Sequence, residues 1–500
     1  MGLPCTNSRN PNSGPGARPS RPHDFYPHVA PAFPSHSETS TMPVIPTEPL
    51  RQSNLNLDIS GVAGFFGGDV AVSAMGTVNI YQGRRWLGWY NMPGSYEIAK
   101  RYGRLARSRF WSGLYPGGHD EPAVLFELDG TEGPRYRGVY SGTVMARTGH
   151  IARLAMSESK DLPEEAWTPP EGARETSSIA VTIANLHATP KDEVVPSIMT
   201  KWSASALTSA LSCLPMLASA GACIACAFVE DWLCCFMIAI GMFCSGFSCF
   251  VIGSGSFSFK HPVPAKGAPQ GDGILDGNNH FVILRGSEAA VNPITRGKFL
   301  LNYRSAPDYN DIGLSSLFLT LQFIVQLLVV PQGTIFGQIM FLSSLGVSWL
   351  YNSFLSSLDK ESIQRRILFD DVLGKPEMYK YVLKTRTAMT VFVLLVLATP
   401  REPSSAQTES DTMNEAKEAP ANLRAEQAPL RHLLNDLLPN DTDVWTTWKR
   451  DLLLKIDEHI DDLGQICFDA PAPSTNPTLL DCLRSDAQAA LAAYRAYQEK

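Results

Sequence analysis

Residues Ala204–Val229 read ASALTSALSCLPMLASAGACIACAFV, and after Glu230 and Asp231 the chain resumes with Trp232–Ile252, WLCCFMIAIGMFCSGFSCFVI. Neither stretch holds a charged side chain. A helix needs roughly 20 apolar residues to cross a hydrocarbon layer about 30 Å thick, and both stretches meet that length. The pattern then repeats. Leu314–Val330 and Ile335–Leu355 are also uncharged, and Pro331-Gln332-Gly333-Thr334 between them is a turn of breaker residues. Two such units in series predict an α-helical multi-pass membrane protein built from two helical hairpins. Pro215 is expected to kink the first helix, and Gly253-Ser254-Gly255 to end the second.

Bulk composition hides this pattern. A mean hydropathy of −0.06, 44% hydrophobic residues and a net charge of −7 suit an ordinary soluble chain, because polar tails dilute the apolar runs. Residues 1–57, rich in Pro and Ser, read as a disordered tail that cannot bury enough surface to fold. Residues 58–200 read as a cytoplasmic α+β region, 201–255 and 313–357 as the transmembrane hairpins, and 256–312 as a cytoplasmic β-rich loop. A basic cytoplasmic segment follows at 358–386, then an acidic linker at 401–426 and short amphipathic helices over 427–500, clearest at Asp443–Leu463. A further apolar run, Ala388–Thr399 within 387–400, is a candidate fifth span of ambiguous length. Whether it crosses decides on which side the acidic tail lies; beyond Pro400 that tail has 18 acids against 10 Lys and Arg.

Charge sets the orientation. Lys260, Lys266, Arg285, Arg296, Lys298 and Arg304 lie between the hairpins, and Lys360, Arg365, Arg366, Lys375, Lys380, Lys384 and Arg386 follow the second. The hairpin turns carry neither Lys nor Arg, so the long loops and the N-terminus are expected in the cytoplasm and the turns outside or in a lumen. Which membrane is involved is not legible. The first residues lack the charged and apolar segments of a cleavable signal, so targeting is expected to rest on the first membrane helix. Asn440-Asp441-Thr442 is a glycosylation triplet that matters only if the tail is on the far side. Gly2 and Cys5 fit a loose acylation pattern, which Pro4 weakens.

No catalytic, cofactor-binding or metal motif stands out. G-x-S-x-G, Walker A, G-x-G-x-x-G and H-E-x-x-H are all missing, and His119-Asp120-Glu121 and Asp272–His280 lack a recognised ligand spacing. Ionisable residues inside spans mark proton relays and ion paths, and the four long runs have none. Their polar residues are Gln322 and Gln326, then Gln338, Ser343 and Ser344, which a hairpin turning at Pro331–Thr334 would place level with each other. Interhelical hydrogen bonding is the structural reading of this set, and a pore or substrate lining the functional one. Seven cysteines between Cys213 and Cys249 read as small apolar packing residues.

A basic, aromatic segment supplies the one candidate contact surface. Arg84, Arg85 and Trp86 precede a helix expected from Ser95 to Phe110, whose apolar face is bordered by Lys100, Arg101, Arg104, Arg107 and Arg109. This chemistry suits anionic lipid headgroups on the cytoplasmic leaflet; a solvated helix face is the plain alternative, and nucleic acid a poor third. Strands are expected at Ala123–Leu128, Tyr136–Met145, Ile151–Met156, Phe281–Leu284 and Lys298–Tyr303, with the two β-bearing regions packing into one cytoplasmic domain.

Gly83-Arg84-Arg85-Trp86-Leu87-Gly88-Trp89-Tyr90, Phe110–Tyr115 leading into Pro116–Asp120, Phe336–Phe341 and Ser348–Asn352 running into Leu358-Asp359-Lys360 carry a resemblance. Over roughly residues 58–400 the chain resembles uncharacterised multi-pass membrane proteins of basidiomycete fungi. That resemblance implies a fungal membrane protein of hairpin architecture and brings no activity, cofactor or site residue. The expected function is a non-enzymatic, membrane-anchored module that binds lipid or protein. The alternative is a channel or transporter assembled as a homo-oligomer.

Overall fold

Uncharged runs of this length fold as helices because a helix satisfies its own backbone polar groups. The computed structural model describes residues 68–81, 83–118, 120–171, 173–188, 193–194, 206–399, 423–468 and 478–500. Its helices are α1 (Gly68–Gly76), α2 (Ser95–Tyr102), α3 (Arg109–Leu114), α4 (Pro122–Leu125), α5 (His150–Asp161), α6 (Ala206–Phe228), α7 (Trp232–Ile252) and α8 (Glu288–Arg296). There follow α9 (Asn310–Val329), α10 (Ile335–Ser356), α11 (Lys360–Arg366), α12 (Arg386–Ala398), α13 (Leu423–Leu437), α14 (Asp443–Glu458) and α15 (Leu479–Gln498). The strands are β1 (Arg135–Gly138), β2 (Val144–Met145), β3 (Ile179–Asn185), β4 (Glu193–Val194), β5 (Ser256–Lys260), β6 (Gly273–Asp276), β7 (His280–Arg285), β8 (Lys298–Asn302) and β9 (Glu377–Leu383). Gly2, Cys5, the 1–57 tail and nearly all of the 401–426 linker fall outside the described residues.

Three segments, Ala210–Phe228, Trp232–Ile252 and Asn310–Gln332, are long and apolar enough to cross a membrane. Helix α10 matches them in length but is more polar, with Gln338, Ser343, Ser344, Ser348 and Asn352 along it. The two hairpins pack as α6 on α7, α10 on α6 and α9 on α7. Helices α9 and α10 then close the ring through α2, which lies on α9, and α1, which lies on α10. At the turns, the buried Asp231 caps α7 by accepting from Cys234 N (3.0 Å). Its other oxygen accepts from Thr334 N (2.8 Å) and Thr334 Oγ1 (2.7 Å), tying one hairpin turn to the other.

The remaining elements form an α/β domain at the opposite ends of these helices. A six-stranded sheet runs β2-β1-β6-β7-β3-β9, with β3 and β7 parallel and the other pairs antiparallel; a smaller sheet runs β4-β5-β8. The two β-bearing regions therefore meet in one sheet, where Arg135–Gly138 pairs with Gly273–Asp276. Strands β4 and β5 flank the first hairpin and pair with each other, β8 leads into α9, and α11 and β9 follow α10. All four loop ends of the hairpins thus lie on one side.

Several expected elements differ. The candidate fifth span is α12, a core helix: every residue from Thr387 to Ala398 is buried, between strands β3 and β9 and helices α13 and α15. Its 13 residues reach only about 20 Å. Because α15 also packs on β9, the C-terminal helices belong to the same side as the connecting loops. Ala123–Leu128 and Ile151–Met156 are not strands. The first includes α4, and the second lies in α5, where His150, Ile151, Leu154 and Ala155 are buried at helical spacing. The basic helix stops at Tyr102, turns through Gly103–Leu105, and resumes as α3.

One buried base carries a prediction. His280 Nε2 lies 2.8 Å from Ser159 Oγ and 3.3 Å from Thr182 Oγ1. Burial, reinforced by the charges of Lys380 and Lys160, lowers its pKa to about 4. The unfolded chain binds that proton near pH 6.5, so stability is complete above that value and declines as pH falls towards 4. A loss on the order of 2 kcal/mol is expected between pH 7 and 4.5, and His280→Gln should flatten it in unfolding curves.

Candidate functional site

Residues 86–94 hold the most unusual position in the molecule. Leaving the short turn Arg84–Trp86, the chain enters the space enclosed by the apolar helices as irregular backbone. Its descent can be followed on α7: Arg85 packs at Gly253, Gly88 at Cys249, Trp89 at Gly246 and Asn91 at Gly241. Gly241 lies about 14 to 16 Å from either end of α7, so Asn91 sits halfway along it. The chain then returns as α2 alongside α9, with Tyr96 stacked on Phe323 at 5.4 Å. Added side chains at Gly88, Gly241 or Gly246 would collide with Cys249, Asn91 or Trp89, so these glycines make room for the loop.

Irregular backbone in an apolar bundle needs partners, and Asn91 finds them on three of the four long helices. Its N–H donates to Ser219 Oγ (3.0 Å) on α6 and its Nδ2 to Ser344 Oγ (3.0 Å) on α10. Its Oδ1 accepts from Gln326 Nε2 (3.3 Å) on α9, which also donates to Met237 O (3.0 Å) on α7. Gln322 Nε2 donates to Gln326 Oε1 (3.3 Å). Nearer the domain, Tyr90 OH donates to Asn352 Oδ1 (2.9 Å) and Ser245 Oγ to Gly88 O (2.8 Å). On the turn side of Asn91, the core becomes apolar: Cys226, Cys234, Met237, Ile238, Val330 and Phe341. Gln322 Oε1, Ser316 Oγ, Ser348 Oγ and Asn352 Nδ2 are buried without a protein partner.

The expected pairing of α9 with α10 is therefore corrected. Gln326 reaches the inserted loop and α7, Gln322 bonds to Gln326, and Ser344 meets Gln326 through Asn91. Gln338 Nε2 donates within its own turn, to Gly333 O (3.0 Å) and Pro331 O (3.3 Å). Ser343 Oγ, exposed, donates to Ile339 O (2.8 Å) of its own helix.

The basic residues divide into two sets. Arg84 is buried, donating to Thr77 Oγ1 (2.8 Å), Tyr351 OH (3.3 Å) and Ala74 O (3.3 Å), so it cannot meet a headgroup and leaves the candidate surface. Arg101 pairs with Glu127 at 2.9 Å, and half-buried Arg104 lies against Gly117. Of the rest, Arg85, Arg107 and Arg109 form a collar at the domain-side ends of α7 and α9. Exposed Arg85 lies over the rings of Trp86 (5.4 Å) and Phe250 (5.9 Å), and Arg107 over Tyr309 (5.6 Å). Lys100, beside Glu97 at 3.6 Å, and Arg109 are also exposed. On α3, exposed Phe110 and Leu114 share one side while Trp111 Nε1 donates to Asn310 Oδ1 (3.1 Å) at the start of α9.

Among the described residues, no group of three or more His, Cys, Asp or Glu side chains is placed to hold a metal ion. Asn440 is exposed beyond α13, on the loop side of the hairpins, and its carbonyl accepts from Lys449 Nζ (2.8 Å). No protein-family model, curated protein or solved structure matches the chain.

Proposed function

We propose that the chain is an integral membrane protein with four spans, α6, α7, α9 and α10, whose α/β domain and N-terminus face the cytoplasm. On this reading it is a non-enzymatic module, seated on the anionic leaflet by its cationic, aromatic collar. The observation that carries it is the inside-out polarity of the helices. Leu217, Ile224, Phe236, Leu321 and Leu328 face outward while Ser219, Gln322, Gln326 and Ser344 face inward. Exposed apolar surface of that extent marks contact with lipid or another protein. The collar then lies where the helices would meet headgroups, and each cation near such a surface contributes about 1 kcal/mol. Asn440 would remain unglycosylated, being cytoplasmic.

The full chain is expected to stay in the membrane pellet after alkaline carbonate. Reconstituted into phosphatidylcholine with a minority of phosphatidylserine and re-extracted, it should retain a lipid shell enriched severalfold in the anionic species. Combined Arg85→Gln, Arg107→Gln and Arg109→Gln should erase most of that enrichment. An unchanged shell would remove the collar's role.

The loop around Asn91 favours a second reading. Non-helical backbone at membrane depth occurs where it is buried in protein or lines a polar passage, as in channels and transporters. The unpartnered polar atoms between Asn352 and Gln322 fit a route for small neutral solutes that ends at the apolar core near the turns. Liposome shrinkage assays with urea and glycerol test it: entry no faster than in empty vesicles ends this reading.

A further inference from the structure

We propose that Cys223 and Cys235 are joined by a disulfide across the α6–α7 hairpin. The inference rests on the membrane orientation proposed above, which places this turn outside the cytoplasm, in a compartment where disulfides persist. The two sulfurs lie 3.3 Å apart, and Cys223 Sγ donates to the Cys235 carbonyl oxygen at 3.4 Å. Forming a bond of about 2.05 Å requires the two sulfurs to close in from this van der Waals approach.

The neighbouring thiols are poorer candidates. Cys226 and Cys234 are fully buried, and Cys234 packs where Gly333 and Gly337 of the second hairpin leave room for it. Cys223 and Cys235 are only half-buried, so an oxidant can approach them. The oxidant is a disulfide-exchange donor of the secretory lumen or cell exterior. The Cys223 thiolate attacks the donor disulfide and forms a mixed disulfide. The Cys235 thiolate then attacks Cys223 Sγ and forms the new S–S bond. The donor leaves as a dithiol carrying the two electrons, and the two thiol protons pass to solvent and to the leaving thiolates.

The bond would close a loop containing Asp231, since the two cysteines are twelve residues apart. Asp231 is the residue whose carboxylate holds Thr334, so the crosslink would rigidify the turn that joins the two hairpins.

To test this, full-length protein in its native membranes is denatured and its free thiols blocked with N-ethylmaleimide. It is then reduced and tagged with a polyethylene-glycol maleimide. Two reduction-dependent tags are expected, both lost in Cys223→Ser and in Cys235→Ser, together with a crosslinked peptide joining the two positions. Absence of the tags, or a crosslink elsewhere, overturns the proposal. Oxidation of the purified protein with glutathione disulfide then identifies the failed premise. Ready closure would mean that the turn faces a reducing compartment, contradicting the proposed orientation, whereas no closure would refute the geometry.

Discussion

Gly241→Val should displace the Asn91 side chain from between the apolar helices and lower the stability of that region by about 1 to 3 kcal/mol. The added side chain would occupy the position of Asn91 Oδ1 and crowd Gln326 Nε2, so both side chains would have to move and give up the hydrogen bond between them. Asn91→Leu tests the same contacts by subtraction. It keeps the branching of the side chain but removes the acceptor for Gln326 and the donor to Ser344, at roughly 0.6 to 2 kcal/mol per interhelical bond. Gly221→Val is the matched control, because nothing lies within 4 Å of a side chain added there. Unfolding midpoints and protease cleavage between Gly83 and Gly94 read the outcome. If Gly241→Val behaves like Gly221→Val, the loop does not occupy the centre of the helices.

The long helices were legible because an uninterrupted apolar run admits few other structures, and the breakers at Glu230-Asp231 and Pro331–Thr334 mark their ends. The sheet was partly legible. Phe281–Leu284 and Lys298–Tyr303 show extended, β-branched or aromatic character, and both lie at strands. Ile151–Met156 is too short for its pattern to separate a strand from a helix, and burial of His150 with Leu154 decided for the helix. The partner of Gln326 was not legible. Local register offers only the facing helix of the hairpin, whereas the true partner, Asn91, lies 235 positions away in sequence. The available signal was a pair of small residues, Gly88 and Gly241, each on a segment that otherwise carries bulky side chains. The basic stretch does not form one surface, and nothing local distinguishes buried Arg84 from exposed Arg85.

Phe392→Ala should cost about 3 to 5 kcal/mol, the range for deleting a fully buried aromatic side chain. Its ring lies 5.4 Å from that of Tyr381 on β9, within a core shared by the sheet and the C-terminal helices. A helix in lipid would respond differently, since an apolar side chain removed from a lipid-facing surface leaves a gap that acyl chains fill. Leu321→Ala supplies that comparison: the residue is 53% exposed on the outer face of α9, and its loss should change stability by less than about 1 kcal/mol. The contrast bears on topology as well as stability. Helix α12 is capped inside the domain by Thr385, whose hydroxyl accepts from Ala388 N at 3.1 Å. Its far end is held by Thr399, whose hydroxyl lies 2.8 Å from Tyr494 OH on α15. A segment tied at both ends to one domain cannot also carry the chain across a bilayer. Equal, small effects of Phe392→Ala and Leu321→Ala would return Ala388–Thr399 to the candidate spans and move the acidic tail to the opposite side.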